Sequence, residues 1–129
     1  MLSIKIVVKG LWKNLFVAYT EVDGKDMEIG YAHTNLCFSK KNRFKDYMGS
    51  DTLRELVRVQ VDSEYRGKGV ATALLNKVIE IYGIDDLLLT VVPLTNDGLN
   101  KEQLTKFYSK FGFERTREFQ ETMIRKATA

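Results

Sequence analysis

Residues 53–82 read Leu-Arg-Glu-Leu-Val-Arg-Val-Gln-Val-Asp-Ser-Glu-Tyr-Arg-Gly-Lys-Gly-Val-Ala-Thr-Ala-Leu-Leu-Asn-Lys-Val-Ile-Glu-Ile-Tyr, and this stretch decides the fold. Val57, Val59 and Val61 alternate with Arg58 and Gln60, the period of a β-strand. Asp62 to Glu64 is a polar turn. Arg66-Gly67-Lys68-Gly69 then opens a helix whose apolar stripe runs Val70, Ala71, Leu74, Leu75, Val78, Ile79 and Tyr82. A helix start leaves backbone N–H groups unpaired, and its dipole favours anions. Gly67 and Gly69 let amides approach a ligand closely, while Arg66 and Lys68 add positive charge. A phosphate or pyrophosphate suits such a junction. A plain strand-to-helix turn carrying two solvated cations is the alternative.

Two familiar phosphate loops are excluded. A Walker loop needs Lys followed by Ser or Thr, and Lys68 is followed by Gly69. A dinucleotide fingerprint needs a third Gly or Ala where Thr72 stands, and an acid about 20 residues on, where this chain has Leu87, Leu88 and Leu89. What remains, Arg66 with Gly69 and Ala71 behind a strand, resembles motif A of the GCN5-related N-acetyltransferases (GNAT), Gln/Arg-x-x-Gly-x-Gly/Ala. Downstream, Lys106-Phe107-Tyr108-Ser109-Lys110-Phe111-Gly112-Phe113 resembles the family's motif B, a helix carrying Tyr and ending at Gly-Phe. The two motifs stand in the family's order with a strand between them. The resemblance implies that the loop holds the pyrophosphate of acetyl-coenzyme A.

Composition sets bounds around this core. The chain has 129 residues, the size of one domain, 1–129. Hydrophobic residues make up 44%, enough for a packed interior, and 29% are charged, ordinary for a soluble protein. A net charge of +3 is too small to argue for nucleic acid but suits a polyanionic cofactor. Cys37 is the only cysteine, so no internal disulfide forms and a reduced, cytoplasmic setting is expected. Lys5 and Lys9 interrupt any signal core at the start. The longest apolar run, Leu87 to Leu94, falls far short of the ~20 residues of a membrane helix. With one Cys and one His, His33, no intact metal motif exists.

Outward from the core, Ile4 to Lys9 reads as a first strand, broken at Gly10 to Asn14. Leu15 to Val22 and Met27 to His33 read as a hairpin around Asp23-Gly24, a strong turn signal. Lys40-Lys41-Asn42-Arg43-Phe44-Lys45 is a basic run with one aromatic, read as a solvated loop or short helix against a nucleic-acid patch. Past the helix, Gly83 marks a stop. Leu87 to Val92 reads as a strand buried on both faces and ended by Pro93, with Thr95 to Gly98 as loop. Asn100 with Gln103 forms a capping-box pattern, so a helix begins near Lys101. Its inner face is Leu104, Phe107, Tyr108 and Phe111, and Gly112 ends it. Phe113 to Arg117 and Glu121 to Arg125 read as a terminal strand pair. Strand, helix, strand, helix over 53–111 indicates one right-handed parallel crossover. The expected fold is therefore α/β, with a mixed, mostly antiparallel sheet, a central parallel β-α-β crossover and a C-terminal hairpin. It agrees with the GNAT fold, except that the family's usual pair of helices after the first strand is missing or replaced by residues 35–49.

Acetyl transfer to an amine needs a neutral amine, a polarised thioester carbonyl and a protonated leaving thiolate. Tyr108 is the candidate acid: a phenol with pKa about 10 lies close to an alkyl thiol, and the resemblance gives the motif B Tyr this part. The other reading is a helix Tyr packed in the core. Glu55 is the candidate base. On strict alternation it shares a face with Val57, Val59 and Val61, where a carboxylate is costly unless paired or functional. In histone-type GNAT members a Glu stands six residues before the position matching Val61, as Glu55 does. Pairing with Arg54 or Lys77, or plain exposure, is the alternative. The resemblance also implies cofactor contacts from Val59, Gln60 and Val61, as an edge that takes up the pantetheine arm like another strand. It implies the same for Arg66, Gly67, Lys68, Gly69, Val70 and Ala71. Asn100 resembles the motif B asparagine that reaches the cofactor, displaced by one position, and reads first as a helix cap. His33 reads as a strand-end surface residue and Cys37 as a packed thiol.

Together these residues point to an acetyl-CoA-dependent N-acetyltransferase acting on a primary amine of a small molecule or a protein lysine, as a monomer or homodimer. The Lys101 to Tyr108 segment resembles small phage-borne GNAT members, some of which modify host proteins. A non-catalytic acyl-CoA-binding module that modulates a partner protein is the alternative, and Tyr108 discriminates. A nucleic-acid-binding role through residues 40–45 is the weakest, and a steep salt dependence would mark it.

Overall fold

The computed structural model describes residues 2–37, 43–91, 100–116 and 121–128. The elements are strands β1 (Lys5–Lys9), β2 (Leu15–Val22), β3 (Lys25–Leu36), β4 (Leu53–Val61), β5 (Asp86–Thr90), β6 (Glu114–Arg115) and β7 (Thr122–Arg125). Helices α1 (Val70–Tyr82) and α2 (Lys101–Ser109) complete them, with short 3-10 turns at Lys45–Tyr47 and Ser63–Tyr65. The order matches the sequence reading: an α/β fold whose chain passes from β4 through α1 to a parallel β5. The pairs β1–β2, β2–β3, β5–β7 and β6–β7 are antiparallel. The chain divides into two compact units, Met1–Asn35 with Leu56–Ile81 and Leu36–Glu55 with Tyr82–Ala129, so β4 contributes to both.

In the first unit the strand order is β1-β2-β3-β4. β1 turns into β2 through five residues, Gly10 to Asn14, and no helix intervenes. Asp23 (φ 52°) and Gly24 (φ 79°) both occupy the left-handed region, the geometry of the tight two-residue hairpin that matches strand twist. β3 runs longer than Met27 to His33: it pairs with β2 back to Lys25, and past His33 it extends to Leu36, with Thr34 N–H donating to the Asn14 carbonyl at 2.9 Å. Its register against β2 slips by one between Ala18 and Tyr19, leaving Ile29 as the extra residue. The apolar stripe of α1 does what its spacing predicts: Val70, Leu74, Leu75 and Val78 are buried, as are Phe16, Ala18, Ile29 and Ala32 of the strands.

In the second unit the order is β4-β5-β7-β6. The parallel ladder joins Leu53–Glu55 to Asp86–Leu88. β5 is buried along Asp86 to Leu89, as a strand covered on both faces must be. It starts one residue earlier than Leu87 and ends at Thr90; Val92, Pro93 and the 95–98 loop lie outside the described residues. The terminal pair is likewise shorter than expected, Glu114–Arg115 against Thr122–Arg125. One core cluster gathers Cys37, Phe44, Leu53, Leu88 and Ile124, with Tyr47 and Met48 packed on it. Phe44, the aromatic in the basic run, is thus a core anchor, 2% exposed, rather than a stacking platform, and Arg43 and Lys45 beside it are exposed. Lys40, Lys41 and Asn42 lie outside the described residues. Gly83 follows α1 without left-handed geometry; its carbonyl instead accepts the N–H of Thr128 at 2.9 Å.

Candidate functional site

The junction after β4 is built in four short steps. Asp62 N–H donates to the Ile29 carbonyl at 2.9 Å, fixing the strand end. A 3-10 turn over Ser63–Tyr65 reverses the chain, closed by Tyr65 N–H on the Asp62 carbonyl at 2.9 Å. Arg66 is extended, and Gly67 (φ 74°) and Gly69 (φ 88°) turn left-handed into α1. Ala73 N–H then donates to the Gly69 carbonyl at 3.0 Å, the first helical bond. The N–H groups of Val70, Ala71 and Thr72 therefore precede any intrahelical acceptor and point out of the helix start.

The surroundings suit a polyanion. Gly67 and Gly69 are exposed, and a Cβ on either would meet nothing within 4 Å, so the space before their amides is open. Two cations flank that space. Arg66 Nε donates to the Val61 carbonyl at 3.2 Å, which orients its guanidinium. Lys68 Nζ stands 5.6 Å over the Tyr65 ring, a cation–π placement. The preceding strand end is half-buried at Val59, Gln60 and Val61. The Tyr31 hydroxyl donates to Gln60 Oε1 at 3.2 Å, a contact that only the β3–β4 pairing creates.

The second unit holds the other candidates. Tyr108 lies on α2 with its ring edge-on to Phe107 at 5.4 Å and to Phe113 at 6.0 Å. Burial pushes its hydroxyl pKa above the ordinary value, so it stays a donor at neutral pH. Asn100 caps α2: its side chain accepts Gln103 N–H at 2.8 Å while Gln103 Oε1 accepts Asn100 N–H at 2.9 Å, the reciprocal box the sequence predicts. Its Oδ1 is engaged there. Cys37 Sγ donates toward Glu55 Oε1 at 3.9 Å. Glu55 is half-buried, but the argument that placed it on an apolar face is corrected: Val57 is 46% exposed while Leu53 and Leu56 are buried, so strict alternation does not hold along β4. Arg54 and Lys77, the partners considered for Glu55, reach Asp85 at 3.4 Å and Glu80 at 3.0 Å. His33, in the first unit, is half-buried beside Asn14, and Cys37 is packed in the core of the second.

The profile described as an Acetyltransferase (GNAT) domain matches residues 12–115. The chain belongs to the GNAT family. That span holds every GNAT candidate named so far, from Glu55 through the Arg66–Ala71 loop to Asn100 and Tyr108. No curated protein matches the sequence. Solved structures show the GNAT fold. Arabidopsis thaliana Naa50 in complex with the bisubstrate analogue CoA-Ac-MVNAL is 24% identical, with 85% of this chain and 69% of that one covered and a TM-score of 0.56. Arabidopsis thaliana NAA60 with a bisubstrate analogue is 18% identical, covering 86% and 74%, with a TM-score of 0.62. NAA60 with acetyl-CoA is also 18% identical, covering 84% and 73%, with a TM-score of 0.60.

Among the described residues this GNAT chain has no cluster that could hold a metal ion and no helix long and apolar enough to cross a membrane. Sequence reasoning missed Gly30, Tyr31 and Asp86. Gly30 had a usable signal, since a glycine inside a strand marks a close backbone approach. Asp86 had none: its partners, Gly49, Ser50 and Ala127, are 36 or more residues away in sequence.

Proposed function

We propose that this GNAT chain is an N-acetyltransferase that uses acetyl-coenzyme A and acetylates a primary amine, either on a small molecule or on a protein. The observation that carries the reading is the Arg66–Ala71 loop: open space before two left-handed glycines, helix-start amides that precede the first intrahelical acceptor, and cations at 66 and 68. Coenzyme A supplies a diphosphate for that loop and an acetyl thioester for transfer. The likeness to Naa50 and NAA60 complexes supports an amine acceptor, since those proteins were captured with bisubstrate analogues.

The chain's own groups then divide the work. Val70, Ala71 and Thr72 amides with Arg66 and Lys68 bind and orient the anionic end. Val59 to Val61 present strand backbone to the amide-bearing arm. The amine nitrogen forms a bond to the acyl carbon as the carbon–sulfur bond breaks. Tyr108 gives its hydroxyl proton to the departing sulfur, and burial keeps that proton in place until then. Glu55 takes the proton that the amine must lose. Isothermal titration and a melting shift with coenzyme A, followed by labelled acetyl-coenzyme A against amine and lysine-peptide panels, test the reading. Neither heat nor a melting shift at millimolar coenzyme A would end it.

A further inference from the structure

We propose that Gly30 on β3, outside both motifs, is a positioning residue for the coenzyme A loop, acting through the backbone of Val61 on the guanidinium of Arg66. The inference rests on the coenzyme A reading of that loop.

A Cβ built on Gly30 would lie 2.8 Å from the Gln60 carbonyl oxygen, and 3.3 Å from both Val61 Cα and Val70 Cγ1. The nearest of these is backbone and cannot rotate away. Gly30 does not have left-handed geometry, so what the position demands is space, not an unusual dihedral. Glycine inside a strand is costly relative to Ala because the unfolded chain loses more freedom, and here that cost secures the close approach of β3 to the end of β4. The neighbouring residue, Ile29, is the extra one in the β2–β3 register and its carbonyl accepts the Asp62 N–H at 2.9 Å, so the approach is pinned next to Gly30. Val61 in turn holds Arg66: its carbonyl accepts Arg66 Nε–H at 3.2 Å. A side chain at position 30 must lift Gln60 and Val61, and the carbonyl that orients Arg66 moves with them. Val70 Cγ1 borders the same space, but it is a side-chain methyl that yields by a few tenths of an ångström, so the backbone of Gln60 and Val61 takes the displacement.

The test is a double-mutant cycle on the full chain, read by isothermal titration with coenzyme A. Gly30→Ala should raise Kd about tenfold, equivalent to about 1.4 kcal/mol. In an Arg66→Ala background the same change should alter Kd less than about twofold, because the group that Gly30 positions is gone. Equal factors in both backgrounds would mean general loosening and would overturn the proposal. So would a folded Gly30→Ala that binds like wild type. A wild-type protein that does not bind coenzyme A would remove the cofactor reading as well, and that outcome shows in the wild type before any variant. If Gly30→Ala does not fold, Arg66→Lys in the native Gly30 chain carries the test. It keeps the charge and loses the Nε–H that the Val61 carbonyl holds, and should weaken binding severalfold, though less than Arg66→Ala; wild-type affinity in Arg66→Lys would overturn the role of the Val61 carbonyl.

Discussion

The hydroxyl of Ser50 donates to Oδ2 of Asp86 at 2.6 Å, and with the amides of Gly49, Ser50 and Ala127, each at 2.9 Å, it closes four donors around a carboxylate with no exposed surface. The clamp joins the start of β5 to the loop before β4 and to the C-terminal tail. Burial pushes the Asp86 pKa up, but the Gly49 amide, the Ser50 hydroxyl and the Ala127 and Ser50 amides outweigh it, and the net direction is below the ordinary 3.8. A depressed folded pKa stabilises above the unfolded value and ceases to do so as pH falls through the folded one. Asp86→Asn should therefore cost about 3 kcal/mol at pH 7, and the gap to wild type should narrow once pH drops below 3.8. Urea unfolding at neutral and acid pH reads both. A gap of constant size would show that the charge on Asp86 is not what holds the clamp.

Among the described residues, Arg54 is the other buried charge in the same unit. Its guanidinium carbon lies 3.6 Å from the Tyr82 ring centroid, and its Nε lies 3.4 Å from Asp85 Oδ2, with side-chain exposures of 9% and 15%. A planar guanidinium can stack and pair at once, and an ammonium cannot. Arg54→Lys should lower stability by about 1–2 kcal/mol. Arg54→Met should cost more, about 3 kcal/mol, by leaving Asp85 without this cation, and Arg54→Met/Asp85→Asn should recover part of that loss. Strict additivity in the cycle would mean that the pair contributes nothing.

Gly69 separates strain from recognition. Its φ of 88° makes any side chain costly, about 1–2 kcal/mol, yet apart from its own chain neighbours the new Cβ meets nothing within 4 Å. Gly69→Ala should lower the melting temperature by a few degrees without unfolding the protein. If the Cβ enters the space of the pyrophosphate, coenzyme A affinity should fall about tenfold or more beyond that. A lower melting temperature with unchanged affinity would place the diphosphate elsewhere.

Phe44 and Val57 show where reading the sequence stops. The Arg66–Gly69 loop, the Asp23–Gly24 turn and the Asn100–Gln103 cap are legible because each is closed within a few residues by its own chemistry. The paired motifs carried the fold class for the same reason: strand period and helix period are local. Phe44 sits in a run of cations, and only its packing against Leu53, Leu88 and Ile124 shows that it belongs to the core. Val57 looked buried because a period of two assumes an unbroken strand, and Leu53 and Leu56, three residues apart, cannot both follow that period. The space at Gly30 and the donors on Asp86 come from residues at least 30 positions away in sequence, which no pattern in one segment records.

Tyr108 divides an enzyme from a binding module. Tyr108→Phe keeps the ring against Phe107 and Phe113 and removes only the hydroxyl. If that hydroxyl protonates the leaving thiolate, kcat should fall about 10²-fold or more, while coenzyme A affinity barely changes, since the loss lies in the transition state. Burial raises the Tyr108 pKa above 10.0, so its ionisation should not limit the rate at any pH below that value. The same direction predicts a stability effect. The unfolded chain loses this proton first as pH rises, so the contribution is fully present below 10.0 and is lost as pH climbs through the folded value, and Tyr108→Phe should lack that alkaline decline. Steady-state rates against pH, with melting temperatures of both proteins over the same range, separate the roles. A tenfold or smaller change in kcat with the alkaline stability difference intact would leave Tyr108 as a packing residue and shift the proton transfers to Glu55 or solvent.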